Sequence, residues 1–118
     1  MREREHNLQV ACVRWFAMQF PHLAPLLFAI PNGGQRNAIV AAKLKAEGVR
    51  AGVPDLFLAV AAGEYHGLFI EMKNGKAGRV SESQKVMQAA LAAQGYKVVI
   101  CRTFEAFVQE IRDYLVTL

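Results

Sequence analysis

Two short apolar runs, Asp55 to Ala61 and Gly67 to Met72, flank the turn-prone Ala62-Gly63-Glu64-Tyr65-His66, and this pair constrains the chain more than any other feature. Runs of this length joined so closely form a β-hairpin. An antiparallel hairpin pairs residues whose numbers have a constant sum. With its turn centred on Gly63 that sum is twice 63, so Asp55 stands across from Glu71. Side chains alternate between the faces of a strand, which puts Asp55 with Phe57 and Ala59, and Glu71 with Phe69 and Lys73. Opposed residues in such a pair have Cβ atoms about 4.5 to 5.5 Å apart, close enough for two carboxylates to repel.

The pair therefore asks for a counter-ion. Lys73, two residues beyond Glu71 on the same face, answers in part. A divalent metal answers better, because carboxylate oxygens are the ligands Mg²⁺ prefers, and the backbone carbonyl of Met72 adds a third oxygen. Such a site polarises a phosphoryl oxygen and lowers the pKa of a bound water, with Lys73 orienting that water or countering charge on the phosphate. On spacing alone a second reading stands beside it. Asp55 then merely ends a turn after Pro54, and Glu71 and Lys73 lie on the solvated face of an edge strand. A register slip of one residue would separate the two faces.

Around the hairpin the pattern predicts the order α, β, α, β, β, α, β, α. Leu8, Ala11, Cys12, Trp15, Phe16 and Gln19 keep a helical rhythm from about Glu3 to Phe20, closed by Pro21. Leu26 to Ile30 reads as a strand ending at Pro31-Asn32-Gly33-Gly34. Arg36 to Glu47, with Ile39, Val40 and Leu44, reads as a second helix ended by Gly48. Ser81-Glu82-Ser83-Gln84 is a capping box opening a third helix that stops at Gly95. Tyr96 to Cys101 is a β-branched strand, and Thr103 caps a last helix with the stripe Phe104, Phe107, Ile111 and Leu115. Glu5 falls on the buried stripe of the first helix, or else serves only as an acidic residue at its positive end.

Composition narrows the classes. A chain of 118 residues, 53% hydrophobic, with no repeat or linker, is expected to form a single domain over residues 1–118. The longest apolar stretches fall well short of the ~18 residues a membrane span needs. The charged start lacks the apolar segment of a secretory signal, so a cytoplasmic protein with no membrane partner is expected. Cys12 and Cys101 have no Cys-x-x-Cys spacing and read as buried free thiols. A net charge of +4 suits a polyanionic partner without proving one.

Taken together, Gly52-Val53-Pro54-Asp55, Glu71-Met72-Lys73 and Ser83-Gln84 resemble the PD-(D/E)XK nucleases. More narrowly, Ile30-Pro31-Asn32-Gly33-Gly34 with Arg36, Gly48 to Leu56, and Ser81 to Gln84 before a helix ending at Gly95-Tyr96 resemble the VRR-NUC branch, the virus-type replication and repair nucleases. The resemblance spans nearly the whole chain, in particular the small standalone members encoded by phages and bacteria. It implies an α/β, restriction-endonuclease-like core with a mixed central β-sheet flanked by helices. It implies that Asp55 and Glu71 bind the metal, that Lys73 is the catalytic lysine, and that Glu5 and Gln84 join the site; Gln84 is also the N3 residue of the capping box, and one side chain serves both purposes only in part. It further implies Mg²⁺ or Mn²⁺ dependence, a DNA substrate, and a homodimer that resolves four-way (Holliday) junctions, since symmetric cuts on two strands need two sites. A helicase or recombination protein is a possible partner.

Arg36, Lys43, Lys45, Arg50, Lys76, Arg79 and Lys85 flank this site in sequence and are expected to hold phosphates by sequence-independent contacts. Trp15, Phe16, Phe104 and Phe107 fall on helical stripes and read as core, not as a base-stacking platform. Two other functions compete: a nuclease for flaps or ordinary duplex, and a non-catalytic module that binds branched DNA.

Overall fold

The computed structural model describes residues 3–31, 37–76 and 78–118. In chain order it contains helix α1 (Glu3–Gln19), a 3-10 turn (Ala24–Leu26), strand β1 (Leu27–Ala29), helix α2 (Ala38–Ala46), strands β2 (Leu56–Leu58) and β3 (Leu68–Met72), helix α3 (Glu82–Ala93), strand β4 (Lys97–Cys101) and helix α4 (Phe104–Leu115). The expected order of elements is present. The hairpin strands are shorter than the apolar runs that announce them, and residues 59–67 form a connection carrying an isolated Ala62↔Tyr65 bridge.

Four strands form one mixed sheet in the order β1-β2-β3-β4, antiparallel across the first two pairs and parallel between β3 and β4. The hairpin can pair directly, but β3 reaches its parallel neighbour only through a crossover, and α3 is that crossover. Register and alternation separate the two faces. Leu27, Leu56, Leu58, Leu68, Ile70, Met72, Val99 and Cys101 point to one face, where they meet Cys12 and Phe16 of α1 and Phe107, Ile111 and Tyr114 of α4 in a continuous buried core. Removing each such side chain from water stabilises the fold by about 1.5–3 kcal/mol for a Leu, Ile or Phe. Trp15 sits edge-on to Phe20, Phe104 and Phe107 at the border of this layer. Phe28, Phe57, Phe69 and Glu71 point the other way, towards α3.

Local signals hold at the helix ends. The Ser81 hydroxyl accepts from the Gln84 N–H and the Gln84 side chain accepts from the Ser81 N–H, completing the capping box. Thr103 accepts from the Ala106 N–H at 3.0 Å, and Asn37 caps α2 through the Val40 N–H at 2.8 Å, a cap not anticipated. Three details of the apolar pattern are corrected. Ala11 and Gln19 are exposed, so the buried stripe of α1 is narrower than expected. On α4 Tyr114 is buried beside Phe107 and Ile111, its hydroxyl donating to the Val60 carbonyl at 2.5 Å, whereas Phe104 and Leu115 are only half-buried. Helix α2 forms but buries no residue, with Ile39 72% exposed, because nothing among the described residues covers it. The turn expected at Asn32-Gly33-Gly34 and the start of that helix at Arg36 lie outside the described residues. Both thiols are free and buried, and burial pushes each up to about 12, so they stay protonated and inert.

Candidate functional site

The pairs Leu56↔Ile70, Phe57↔Phe69 and Leu58↔Leu68 keep the constant sum set by a turn at Gly63, and one step further it faces Asp55 with Glu71. Strand β3 lies inside the sheet, between β2 and β4, so the solvated-edge reading of Glu71 fails. Glu71 is 2% exposed and Asp55 8%. In the same register Met72 faces Pro54, which has no N–H to give a ladder. The Met72 N–H instead donates to Asp55 Oδ2 at 2.7 Å, which fixes that carboxylate against β3. No ladder N–H comes from Pro54 to the Met72 carbonyl.

Glu71 is held at one of its two oxygens. Its Oε2 accepts from Gln84 Nε2 at 3.1 Å and lies 3.7 Å from Lys73 Nζ. Its Oε1 is buried and has no hydrogen-bond partner. Burial first, then the neighbouring Asp55 carboxylate, and last Glu5, raise the Glu71 pKa from the ordinary 4.5 to about 8 against the opposing charge of Lys73. Desolvation and the charge of Asp55 outweigh Lys73, so the Glu71 carboxyl is held above the ordinary carboxylate range. Glu5, half-buried in the first turn of α1, is therefore near enough to be felt at Glu71.

Gln84 divides its amide between two tasks. Oε1 accepts from the Ser81 N–H at 2.8 Å, while Nε2 donates to Glu71. The expectation that cap and site compete for this side chain is corrected, because acceptor and donor ends act separately. Gly52 explains how the loop before Asp55 meets α3. Its φ is +89°, and a Cβ there would stand 2.4 Å from the Ser83 carbonyl oxygen, so only glycine lets this loop abut the turn that carries Gln84.

The donor set suits a hard cation. Among the described residues no group of three or more His, Cys, Asp or Glu side chains is gathered for a metal. Two carboxylates, one with an orphaned buried oxygen, and a carbonyl that Pro54 leaves without a ladder donor match the sparse protein ligation of Mg²⁺, which otherwise keeps waters or takes substrate phosphates. An uncompensated buried acceptor is costly, and a cation at Glu71 Oε1 would remove that cost.

The basic residues expected to grip phosphates are spread over exposed segments of the chain. Lys43 and Lys45 lie in the last turn of α2, Arg50 in the loop leading to Asp55, Lys76 and Arg79 after β3, and Lys85 next to Gln84, all of them exposed. Arg36 is outside the described residues. Among the described residues the ion pair at the site is Lys73 with Glu71. Arg102, which sequence spacing gave no reason to single out, is half-buried beside this loop and donates to the Gly75 and Gly78 carbonyls. The parallel pairing of β3 with β4, which carries it there, is the signal that would have found it.

A mixed four-stranded sheet flanked by helices, with opposed carboxylates and a lysine at the ends of its inner strands, defines a restriction-endonuclease-like α/β domain. The VRR-NUC domain model matches residues 3–105. A solved structure described as a VRR_NUC domain protein is 29% identical and superposes with a TM-score of 0.85, covering 99% of this chain and 92% of that one. The chain belongs to the VRR-NUC family of nuclease domains. No curated protein matches it.

Proposed function

We propose that this chain, as one nuclease domain over residues 1–118, is a metal-dependent, structure-selective DNA endonuclease that cuts four-way junctions as a homodimer in the cytoplasm of a bacterial or phage-infected cell. The observation that carries the reading is the buried Asp55–Glu71 pair, with Glu71 Oε1 unpartnered and Lys73 Nζ 3.7 Å from the other oxygen. Among the described residues no helix is long and apolar enough to cross a membrane.

Asp55, Glu71 and the Met72 carbonyl would hold Mg²⁺ or Mn²⁺, which supplies Lewis-acid polarisation of a phosphoryl oxygen. The Met72 N–H and Gln84 Nε2 each hold one carboxylate oxygen, so the two carboxylates keep their direction. Lys73 places a cation beside the scissile phosphate, orienting an attacking water and countering the negative charge that grows there. Glu5 adds negative charge near the same point and favours a bound cation. Lys43, Lys45, Arg50, Lys76, Arg79 and Lys85, with Arg36, grip phosphates around the site; such contacts read backbone and branch shape, not base sequence. One copy has one such site, so paired incisions need a second copy, and a helicase or recombination protein would deliver the junction.

The test is cleavage of a labelled four-way junction, a 5′ flap and matched linear duplex with Mg²⁺, Mn²⁺ or chelator, by the parent and Asp55→Ala. Metal-dependent cutting of the junction by the parent alone is expected. Cutting confined to flaps or duplex keeps the site and removes the resolvase assignment. Tight junction binding without cleavage, equal in both proteins, identifies a binding module.

A further inference from the structure

The backbone after Lys73 folds back over it. Because β3 and β4 run parallel with Met72 beside Cys101, the residues that follow leave the sheet together. The Lys73 N–H donates to the Cys101 carbonyl at 3.0 Å and the Gly75 N–H to the Arg102 carbonyl at 3.2 Å. Arg102 Nη1 then donates to the Gly75 carbonyl at 2.8 Å and the Gly78 carbonyl at 2.6 Å, drawing Gly78 in. At that position a Cβ would stand 3.1 Å from Lys73 Cβ and 3.3 Å from Lys73 Cδ. Gly78 is thus a wall for the lysine stem, and the guanidinium holds the wall in place. A lysine stem has four carbons of rotational freedom, and Gly78 limits the room open to it on one side, with Nζ 3.7 Å from Glu71 Oε2.

We propose that Arg102 is a positioning residue for Lys73, acting through Gly78. The inference rests on Lys73 being the lysine of a nuclease site, and it separates two jobs for the basic side chains near this loop. Lys76 and Arg79 point to solvent, where DNA would be gripped. Arg102 spends its donors on main-chain carbonyls, where a charged donor orders a loop.

The experiment compares the parent with Arg102→Gln, Arg102→Lys and Gly78→Ala in metal-dependent cleavage of the DNA the parent cuts best, with thermal unfolding to show that each is folded. Arg102→Gln should lower kcat by about 10- to 100-fold with KM changed less than about threefold, as a slightly misplaced catalytic group does. Arg102→Lys, which can still donate to two carbonyls, should recover most of the loss. Gly78→Ala, which crowds the lysine stem directly, should lower kcat as Arg102→Gln does. Tryptic cleavage at Lys76 and Arg79, read without DNA or metal, should be faster in Arg102→Gln. An unchanged kcat, a rise in KM alone, no recovery with Lys, or unchanged proteolysis would each overturn the proposal while leaving the nuclease reading intact. A parent that cuts no DNA overturns both.

Discussion

The two faces of the sheet are built from the same strands yet solve opposite problems. On one, Leu56, Leu58, Leu68, Ile70 and Met72 meet α1 and α4, and the buried polar contact there, Tyr114 to the Val60 carbonyl, is satisfied. On the other, one residue along each strand, Asp55 and Glu71 are buried opposite each other, leaving Glu71 Oε1 without a partner. Beside them Phe28, Phe57, Phe69 and Tyr96 form a run of aromatic contacts, with Phe28 still 47% exposed. One face supplies stability; the other spends some of it on a pair of carboxylates that only a cation or a proton can reconcile. Strand alternation lets three- and five-residue strands do both.

This contrast makes substitutions on the two faces separable. Phe107→Ala, in the apolar face and fully buried, should cost about 3–5 kcal/mol in urea unfolding, the usual range for an aromatic truncated in a core. A loss below 1 kcal/mol would mean that α4 is not the lid of the core. Gly52→Ala should cost about 1–3 kcal/mol from its positive φ alone, with more from the clash at Ser83, and should also reduce cleavage by displacing Gln84. Retained cleavage in a destabilised Gly52→Ala would uncouple the loop before Asp55 from the start of α3.

The carboxylate face also predicts a pH response. The Glu71 pKa is higher in the folded chain than in the unfolded one, so between about 4.5 and 8 the folded state holds more protons. Its contribution to stability is fully present below 4.5 and is lost as pH rises through about 8. Metal-free parent should therefore lose stability over that window, and Glu71→Gln should lose less. Unfolding titrations of both without divalent cations measure the difference; identical slopes would show that Glu71 carries no raised pKa. The smallest effect concerns the cap: Ser81→Ala should cost about 1 kcal/mol. A larger loss of cleavage than that change in stability explains would show that the cap also holds Gln84 for Glu71.

The hairpin was legible because a constant-sum register and strand alternation are local arithmetic, and together they brought Asp55 to Glu71. The helix caps at Ser81 and Thr103 were legible for the same reason. Burial of α2 was not, since an apolar pattern such as Ile39, Val40 and Leu44 names a face without naming what covers it. Tyr114 was passed over because its hydroxyl needs a partner, Val60, far away in sequence. Arg102 was invisible for a topological reason: its neighbourhood with Gly75 and Gly78 exists only once β4 has crossed over to lie parallel to β3.

The central claim is that the opposed carboxylates form a cation site. Calorimetric titration of Mn²⁺ into the parent and Glu71→Gln at pH 7, in buffers of different ionisation enthalpy, tests it most directly. Saturable binding by the parent, with a proton released as Glu71 is deprotonated, and at least tenfold weaker binding by Glu71→Gln, is the expected result. Equal binding by the two proteins, or none by the parent, would contradict the account.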